Sequence, residues 1–289
     1  MSPGGFHRWT ARRSPRVGVA CLLLLVAAPG WAQTAVERER ADYVRWLTSA
    51  PTSPFATVAQ QPIGRELRLG PADADIPLDG IGEHRVVAGA GGVRLESAAG
   101  GRPMPRGAPV RVGSYTLVAD GPAGREVLTV FGSRHSAKSP VYYDLSAELR
   151  FSGPLLPPER RGTVRVLGVD GIEVEAAEAG TVLVPFGGTV VRLRVLRIPS
   201  PGGEESELEI FFRDATNGRS TYPAGRFVSL SPAAGGRYHL DFNRARNPFC
   251  AYSSAYPCPA PWRGNTIPIA IDAGERYQGG GLSSPAGAR

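Results

Sequence analysis

The sequence predicts a mostly β protein, in which one N-terminal helix is followed by two antiparallel β-sandwich-like blocks packed together. Glycine and proline are frequent, at 37 and 27 of 289 residues. Helix-periodic stretches are rare, and short runs of alternating apolar and polar residues recur along the chain. Because strands have a period of two and glycine and proline mark the turns between them, this pattern is typical of antiparallel sheets.

The first 32 residues predict a secretory signal peptide. Basic residues precede the apolar run 17–29, and Gly30 and Ala32 supply the small side chains that a signal peptidase reads. The run is shorter than the roughly 20 apolar residues of a membrane-spanning helix. We therefore expect an exported, periplasmic or extracellular protein with no stable membrane span after cleavage, by either the general secretory or the twin-arginine route. The basic residues are Arg8, Arg12, Arg13 and Arg16.

Removal of this leader changes the charge of the chain. The formal net charge is +7, and loss of the four leader arginines leaves +3 on the mature protein. Lys138 is the only lysine, and the arginines are scattered without interleaved aromatic residues. Nucleic-acid-binding proteins concentrate basic residues in a patch or stripe. The sequence therefore predicts no nucleic-acid partner.

The predicted N-terminal domain, residues 33–135, begins with a helix near residues 36–47. Val36 and Leu47 lie on one apolar stripe of that helix, whereas Glu39 and Arg40 are expected to face water. Short strands follow as far as about residue 131, and we expect them to form the first β block.

A resemblance to a known family covers residues 67–97 of this block. They contain a strand, a glycine turn, the pattern D-x-D-I-x-L and a hairpin, and are similar to the opening of a forkhead-associated β-sandwich. That family binds phosphothreonine through an arginine after the turn glycine and a serine three residues before a histidine. Here Pro71 follows Gly70, and Ile81 stands three residues before His84. Neither side chain can make a charge-assisted phosphate contact, so the resemblance implies a similar sandwich without the phosphopeptide site and a structural role for His84.

Residues 136–276 are predicted to form a C-terminal β domain. Its strands include 143–151, 172–176, 181–185 and 267–273, and they are expected to build a second sandwich or a curled sheet packed against the first block. The tail 277–289 has nothing apolar to bury and is predicted to be disordered.

The densest group of polar residues lies in the C-terminal domain, in FFRDATNGRSTYPAGRF, RYHLDFNRARNPFCAYSSAYPCPAPWRGN and TIPIAIDAGER. These segments resemble the signature of an uncharacterised bacterial and archaeal family of exported proteins, domain of unknown function 1684. The resemblance implies that Asp241, Asn243 and Asn247 belong to the family pattern, whereas Arg246 stands where an aromatic residue is more usual. The family has no established activity, so the resemblance implies neither a reaction nor a ligand.

Strand parity predicts a structural ion pair between Asp214 and Arg226. Asp214 shares a strand face with Phe212, and Arg226 shares one with Val228. If the apolar faces are core faces, both charges lie inside, where removing one partner of a buried pair costs ~3–5 kcal/mol. The alternative makes Asp214 a general acid or base with a shifted pKa.

A second polar group is predicted beside the following strand. Asp241 and Asn243 point away from its apolar row, and they either cap the next loop or line a cleft with polar residues from the proline-rich segment. The candidate cluster consists of Asp241, Asn243, Asn247, Tyr252 and Asn265.

Cys250 and Cys258 are predicted to form a disulfide, which is the default for two cysteines in an exported chain. Free thiols, a catalytic thiol and metal binding are the alternatives. A metal site has little support because no histidine or further cysteine stands at ligand spacing. We expect neither a metal nor another cofactor.

Two functional classes remain. The first is a non-catalytic exported module that binds a small ligand, a glycan or an envelope protein. The second is an extracytoplasmic hydrolase that uses Asp214 or Asp241, with Asn243 and Tyr222 as hydrogen-bonding partners. Phosphate-binding glycine loops, H-E-x-x-H and G-x-S-x-G are absent from the sequence. The classes differ in whether the polar side chains converge on an open pocket or are consumed by loop amides and one another.

Overall fold

The computed structural model describes residues 30–133, 139–199, 206–260, 262 and 264–277. The predicted signal peptide lies outside these residues except for its last three positions, and the predicted disordered tail lies outside them except for Tyr277. The fold is mostly β, with an N-terminal helix and several antiparallel sheets packed together, as the sequence predicts.

The predicted helix is present as α1, Gly30–Ser49, and is longer than expected at both ends. Val36 and Leu47 are buried, in agreement with the apolar stripe. The expectation that Glu39 and Arg40 face water was wrong. Arg40 donates to two main-chain carbonyls of the C-terminal domain, and Glu39 pairs with Arg244 there. The helix crosses that domain, so a second side of α1 is packed as well as the apolar stripe.

The first block is a sandwich of two sheets. Its strands are β1 Thr57–Pro62, β2 Glu66–Gly70, β3 Ile76–Pro77, β4 His84–Gly89, β5 Gly92–Ser97, β6 Gly100–Met104, β7 Pro109–Val112, β8 Tyr115–Asp120 and β9 Val127–Phe131. The two sheets have the orders β1-β9-β8-β7 and β3-β2-β4-β5-β6, and side chains of both meet in one apolar core. Strand β1 follows a short 3₁₀ helix, Pro54–Ala56. The sequence does not indicate β1 as a strand, because it contains two glutamines and few apolar residues.

The turn of the forkhead-like segment depends on a close backbone approach. Gly70 has φ +110°, and a Cβ there would lie 2.4 Å from the carbonyl oxygen of Gly82. His84 Nδ1 lies 2.8 Å from the same oxygen. His84 therefore holds this turn, which fits the structural role expected from the sequence.

The second block is one antiparallel sheet of seven strands. They are β10 Arg150–Pro154, β11 Thr163–Leu167, β12 Glu173–Phe186, β13 Thr189–Pro199, β14 Ser206–Phe212, β15 Arg226–Pro232 and β16 Arg237–Asp241. Their order in the sheet is β10-β16-β15-β14-β13-β12-β11. Of the two predicted arrangements, the curled sheet is the one observed. Further 3₁₀ turns are Ala234–Gly236, Phe242–Arg244 and Phe249–Ala251.

The curled sheet closes on itself just beyond β10. Leu156 and Thr181 exchange two main-chain hydrogen bonds of 2.9 Å, which join the end of β10 to β12. Gly180 makes this approach possible, because a Cβ at that position would lie 2.1 Å from the carbonyl oxygen of Leu156. The core inside the ring includes four phenylalanines whose ring centroids lie 5.1–6.0 Å apart. They are Phe151, Phe186, Phe212 and Phe242.

Four predicted strands of this block differ in the structure. The segments 172–176 and 181–185 are parts of β12, which is interrupted by a bulge between Glu178 and Gly180. Residues 143–149 are not a strand, because the Asn243 side chain binds the main chain of Ser146. Residues 267–273 are also not a strand, because the side chains of Asp214 and Arg226 bind main-chain groups there.

The two blocks contact each other through polar and apolar groups. Gln60 Nε2 of β1 donates to the carbonyl oxygen of Asp170 at 3.1 Å, and the hydroxyls of Thr57 and Tyr256 lie 2.6 Å apart. Arg125 pairs with Glu173 across the same junction. None of the helices in the described part of the chain is long and apolar enough to cross a membrane.

Candidate functional site

Asp214 and Arg226 form the ion pair that strand parity predicts, with Nη2 and Oδ2 2.9 Å apart and both side chains fully buried. Phe212 and Arg226 are direct partners in the β14–β15 ladder, so both charged side chains emerge on the core face. The guanidinium also donates to the carbonyl oxygens of Ile271, Ala273 and Glu275. We call this group the Arg226 clasp, because it ties the C-terminal segment to the curled sheet.

Both carboxylate oxygens of Asp214 are engaged in the clasp. Its Oδ1 accepts from the amide and hydroxyl of Thr216, at 2.8 and 2.6 Å, and from the amide of Ile271 at 3.2 Å. Its Oδ2 accepts from Arg226. A carboxylate engaged on both oxygens and closed off from solvent is poorly placed to act as a general acid or base.

Asp241 and Asn243 hold the corner between β16 and the segment before β10. Asp241 Oδ1 accepts from the amide and the side chain of Asn243, at 3.0 and 2.7 Å. Its Oδ2 lies 2.7 Å from Arg244 Nη1 and 3.5 Å from Arg150 Nε. The Asn243 side chain bonds to both main-chain groups of Ser146 at 2.8 Å. This is the loop-capping arrangement that the sequence offered as one alternative.

Asn247 and Tyr252 meet at Glu275, which is buried to 1% exposure. Its carboxylate accepts from the main-chain amide of Asn247 at 3.0 Å and from the Tyr252 hydroxyl at 2.5 Å. Tyr43 of α1 donates to the Tyr252 hydroxyl at 3.3 Å. Burial raises the pKa of Glu275 to about 7, although these hydrogen bonds oppose the shift. The Asn247 Oδ1 atom is buried and has no hydrogen-bond partner among the described residues.

Asn265 lies apart from the other four candidates. Its side chain bonds to the amide and carbonyl of Arg194, at 2.8 and 2.9 Å, and to the carbonyl of Phe211 at 3.1 Å. It therefore joins β13 to β14. The remaining candidates lie under α1. From that helix, Arg40 donates to the carbonyl oxygen of Asn243 and Tyr43 donates to the Tyr252 hydroxyl. Glu39 accepts from Arg244, which also pairs with Asp241. The five predicted residues share no cavity in the described structure.

The two cysteines are free thiols in this structure, Cys250 buried and Cys258 exposed, so the predicted disulfide is not present in it and stays a prediction. The Tyr222 hydroxyl lies 3.2 Å from both the carbonyl oxygen of Cys250 and Sγ of Cys258. Burial, with a hydrogen bond to Cys258, raises the pKa of the Cys250 thiol. That shift disfavours a reactive thiolate at Cys250. The Tyr222 hydroxyl is engaged by its contacts with the cysteine loop.

A cleft that the sequence did not predict lies between the two blocks. It offers about 60 Å³ to the centres of water-sized molecules. Arg106 and Asp120 of the first block pair at 2.8 Å on one wall, and Arg246 and Glu209 of the second pair at 2.8 Å on another. The remaining lining residues are Gly168, Val169, Asp170, Ile172, Val174, Ile198, Pro199 and Glu207. We call it the interblock cleft.

Asp170 lines this cleft and, like Glu207, has no ion pair among the described residues. It lies in the turn before β12, where Oδ1 accepts from the amide of Ile172 at 3.0 Å. Burial, together with the nearby carboxylates of Asp120 and Glu209, raises the pKa of Asp170 to about 6. Burial also raises the pKa of Glu209, and Arg246 opposes that shift. Within the described residues no group of three or more His, Cys, Asp or Glu could hold a metal ion.

One sequence signal could have located part of the cleft. Strand β14, SELEIFF, is apolar at both parities near its end, since Ile210, Phe211 and Phe212 are all buried. Both faces of such a strand are covered, so Glu209 has to be buried and needs a cationic partner. That partner is Arg246.

Comparisons with known proteins agree with the resemblance noted in the sequence. Residues 138–276 match the model of a family described as "Protein of unknown function (DUF1684)". The solution NMR structure of an uncharacterized protein from Haloarcula marismortui is 28% identical, with a TM-score of 0.40; the match covers 48% of this chain and 77% of that chain. A search of curated proteins found no match.

Proposed function

We propose that this chain, whose residues 138–276 belong to the DUF1684 family, is an exported, non-catalytic binding module with its ligand in the interblock cleft. The predicted signal peptide supports export. The oxidising compartment that export implies is also where a disulfide between Cys250 and Cys258 would form.

The observation that carries this proposal is the lining of the cleft by both blocks. Val169, Ile172, Val174 and Ile198 give it an apolar floor, and an ion pair from each block lies at its walls. Ligand sites commonly combine an apolar surface with a few placed polar groups. A ligand in this position would bury its apolar part on the floor and be oriented by the charged side chains.

The size of the cleft favours a small occupant. A single buried water needs roughly 10–15 Å³ by the same measure, and the cleft offers about 60 Å³. This space suits a small ligand, or one group projecting from a glycan or an envelope protein.

The alternative, a hydrolase that uses Asp214 or Asp241, has less support. Both carboxylates have their oxygens engaged by hydrogen bonds or ion pairs, and neither lines the cleft. A general acid or base has to reach the group whose proton it transfers. Hydrolysis of a bound compound by the wild-type chain would favour this alternative.

The test is thermal unfolding of the mature chain, beginning at residue 33, with a panel of envelope-derived metabolites and glycan fragments. Compounds that bind the folded state raise Tm. We expect Asp170→Asn, which is nearly isosteric and lies in the cleft, to remove the Tm shift. Asp73→Asn is the matched control, because Asp73 is an exposed aspartate of the first block. A compound that stabilises Asp170→Asn as much as the wild type would contradict the assignment.

A further inference from the structure

Arg40 of α1 makes the contacts of a bound guanidinium group. Its Nη1 donates to the carbonyl oxygen of Tyr143 at 3.0 Å, and its Nη2 to that of Asn243 at 2.9 Å. Its Cζ lies 4.5 Å from the centroid of the Tyr142 ring. Planar guanidinium groups combine forked hydrogen bonding with stacking on aromatic faces. All three contacts fall on the C-terminal domain, far from Arg40 in sequence.

The receiving side of this contact is held together without α1. The Asn243 side chain bonds to both main-chain groups of Ser146, which fixes the two carbonyl-bearing segments relative to each other. Asp241 is oriented by Asn243 and Arg244. Burial lowers the pKa of Arg40, and the negative charge of Asp241 is among the charges that oppose this shift. A set of acceptors fixed in advance loses little entropy when a cation arrives.

The occupant and the receiving residues come from different parts of the chain. Tyr142, Tyr143, Asp241 and Asn243 lie within the family match at 138–276, and Arg40 lies outside it. The matched segment therefore supplies the carbonyl acceptors that Arg40 uses, and the N-terminal helix supplies the guanidinium.

The docked helix keeps buried polar atoms without partners among the described residues. Arg40 Nε and Trp46 Nε1, both on α1, are buried and unbonded there. Each unsatisfied buried group makes the docked state less favourable than a fully bonded one. The polar contacts of α1 are therefore incomplete, although Val36 and Leu47 of its apolar stripe are buried.

We propose that Tyr142, the carbonyl groups of Tyr143 and Asn243, and Asp241 form a guanidinium-binding site. In this chain Arg40 fills the site in cis, and α1 is a displaceable cover over it. The ligand class is an arginine side chain or another compound that ends in a guanidinium group. Displacement of α1 would also uncover the Tyr252 hydroxyl, because Tyr43 bonds to it from the same helix. This site is separate from the interblock cleft.

The first experiment vacates the site. Arg40→Ala removes the occupant, and Arg45→Ala is the matched control, because Arg45 is exposed on α1 and pairs with Asp42 of the same helix. The probe is methylguanidinium, with methylammonium as a cation of equal charge that lacks the fork. We expect calorimetry to show methylguanidinium binding to Arg40→Ala with a Kd in the millimolar range, and binding at least tenfold weaker to Arg45→Ala. Equal binding to the two variants would overturn the proposal.

The second experiment uses the wild-type chain and does not depend on the folding of a variant. Hydrogen exchange of the amides 36–49 is followed while agmatine, a guanidinium on an aliphatic chain, is added. We expect faster exchange in α1 with agmatine than with butylamine at the same concentration. Unchanged protection of α1 across the series would overturn the proposal. Asp170→Asn should leave both results unchanged, which separates this site from the interblock cleft.

Discussion

The Arg226 clasp and the interblock cleft each contain an arginine–carboxylate pair, at 2.9 and 2.8 Å, but they differ in what surrounds the arginine. The Arg226 side chain is 0% exposed, and its other bonds go to main-chain carbonyls of the same domain. The Arg246 side chain is 33% exposed, and among the described residues it bonds to Glu209 alone. A buried ion pair is structural where the backbone consumes its remaining donors. It can serve a ligand where donors still face open space.

Removing each arginine in turn tests this comparison with the largest expected effect. Arg226→Met leaves Asp214 buried without its cation and the carbonyls of Ile271 and Ala273 without donors, so we expect a loss of ~3–5 kcal/mol. Arg246→Met leaves Glu209 beside a cleft that water can enter, so we expect a loss of about 1–2 kcal/mol. Urea denaturation measures both values. Equal losses would break the comparison.

The pair in the clasp also predicts strong coupling. Asp214→Asn combined with Arg226→Met should cost clearly less than the sum of the two single losses, because each single variant leaves an unmatched charge or donor. Additive losses would mean that the two side chains do not stabilise each other.

The pH dependence of stability depends on Glu275. Its folded pKa of about 7 lies above the ordinary value of 4.5. Between these pH values the folded state binds more protons than the unfolded state, so stability falls as pH rises. The contribution is complete below the lower value and is lost by the upper one, with a size of up to ~3 kcal/mol. Asp170 acts in the same direction at lower pH, because its pKa is raised to about 6.

Denaturation at a series of pH values checks this sign. Glu275→Gln should flatten the decline between pH 4.5 and 7, and Glu37→Gln, a change at an exposed residue of α1, should not. An unchanged slope in Glu275→Gln would show that another group is responsible.

A disulfide between Cys250 and Cys258 remains the prediction for exported material. Closing so short a loop should stabilise the fold by about 2–3 kcal/mol in the chain-entropy model. Mass spectrometry without reduction, followed by denaturation with and without reductant, measures the bond and its effect. Two freely alkylated thiols in natively exported protein would overturn the prediction and leave the reduced arrangement of this structure.

Two asparagines give the smallest expected difference. Asn265→Ala leaves three main-chain groups of Arg194 and Phe211 without partners, with an expected loss of about 2–3 kcal/mol. Asn247→Ala removes a side chain that already has an unbonded Oδ1, so its loss should be about 1 kcal/mol. Urea denaturation compares the two. A larger loss at Asn247 would mean that the hydrogen bond from its side chain to the carbonyl oxygen of Arg276 contributes more than expected.

Local rules predicted the parts of the site that lie within one hairpin. Alternation along β14 and β15 placed Asp214 and Arg226 on the core face, because side-chain parity needs no knowledge of distant contacts. The same rule separated Asp241 and Asn243 from the apolar row of β16. It could not show that α1 would cover them, since that contact joins residues about 200 positions apart.

Apart from the signal at Glu209, the interblock cleft could not be predicted for the same reason. Asp170 arrives in a turn, and Asp120 and Arg106 come from the other block. The shifted pKa of Asp170 depends on that meeting, and no spacing in the sequence encodes it. The strand predicted at 267–273 was wrong because its backbone bonds partly to Arg213 and Ala215, beyond the end of β14, and partly to side chains of the Arg226 clasp.

The bridge between Leu156 and Thr181 also affects how copies of this protein behave towards one another. A strand edge with unpaired amides is a template for another chain, and a closed sheet removes that edge. Any side chain at position 180 would meet the Leu156 carbonyl and force the seam apart. A substitution at Gly180 would therefore expose a length of strand to neighbouring molecules and promote aggregation, even where the rest of the curled sheet stays folded.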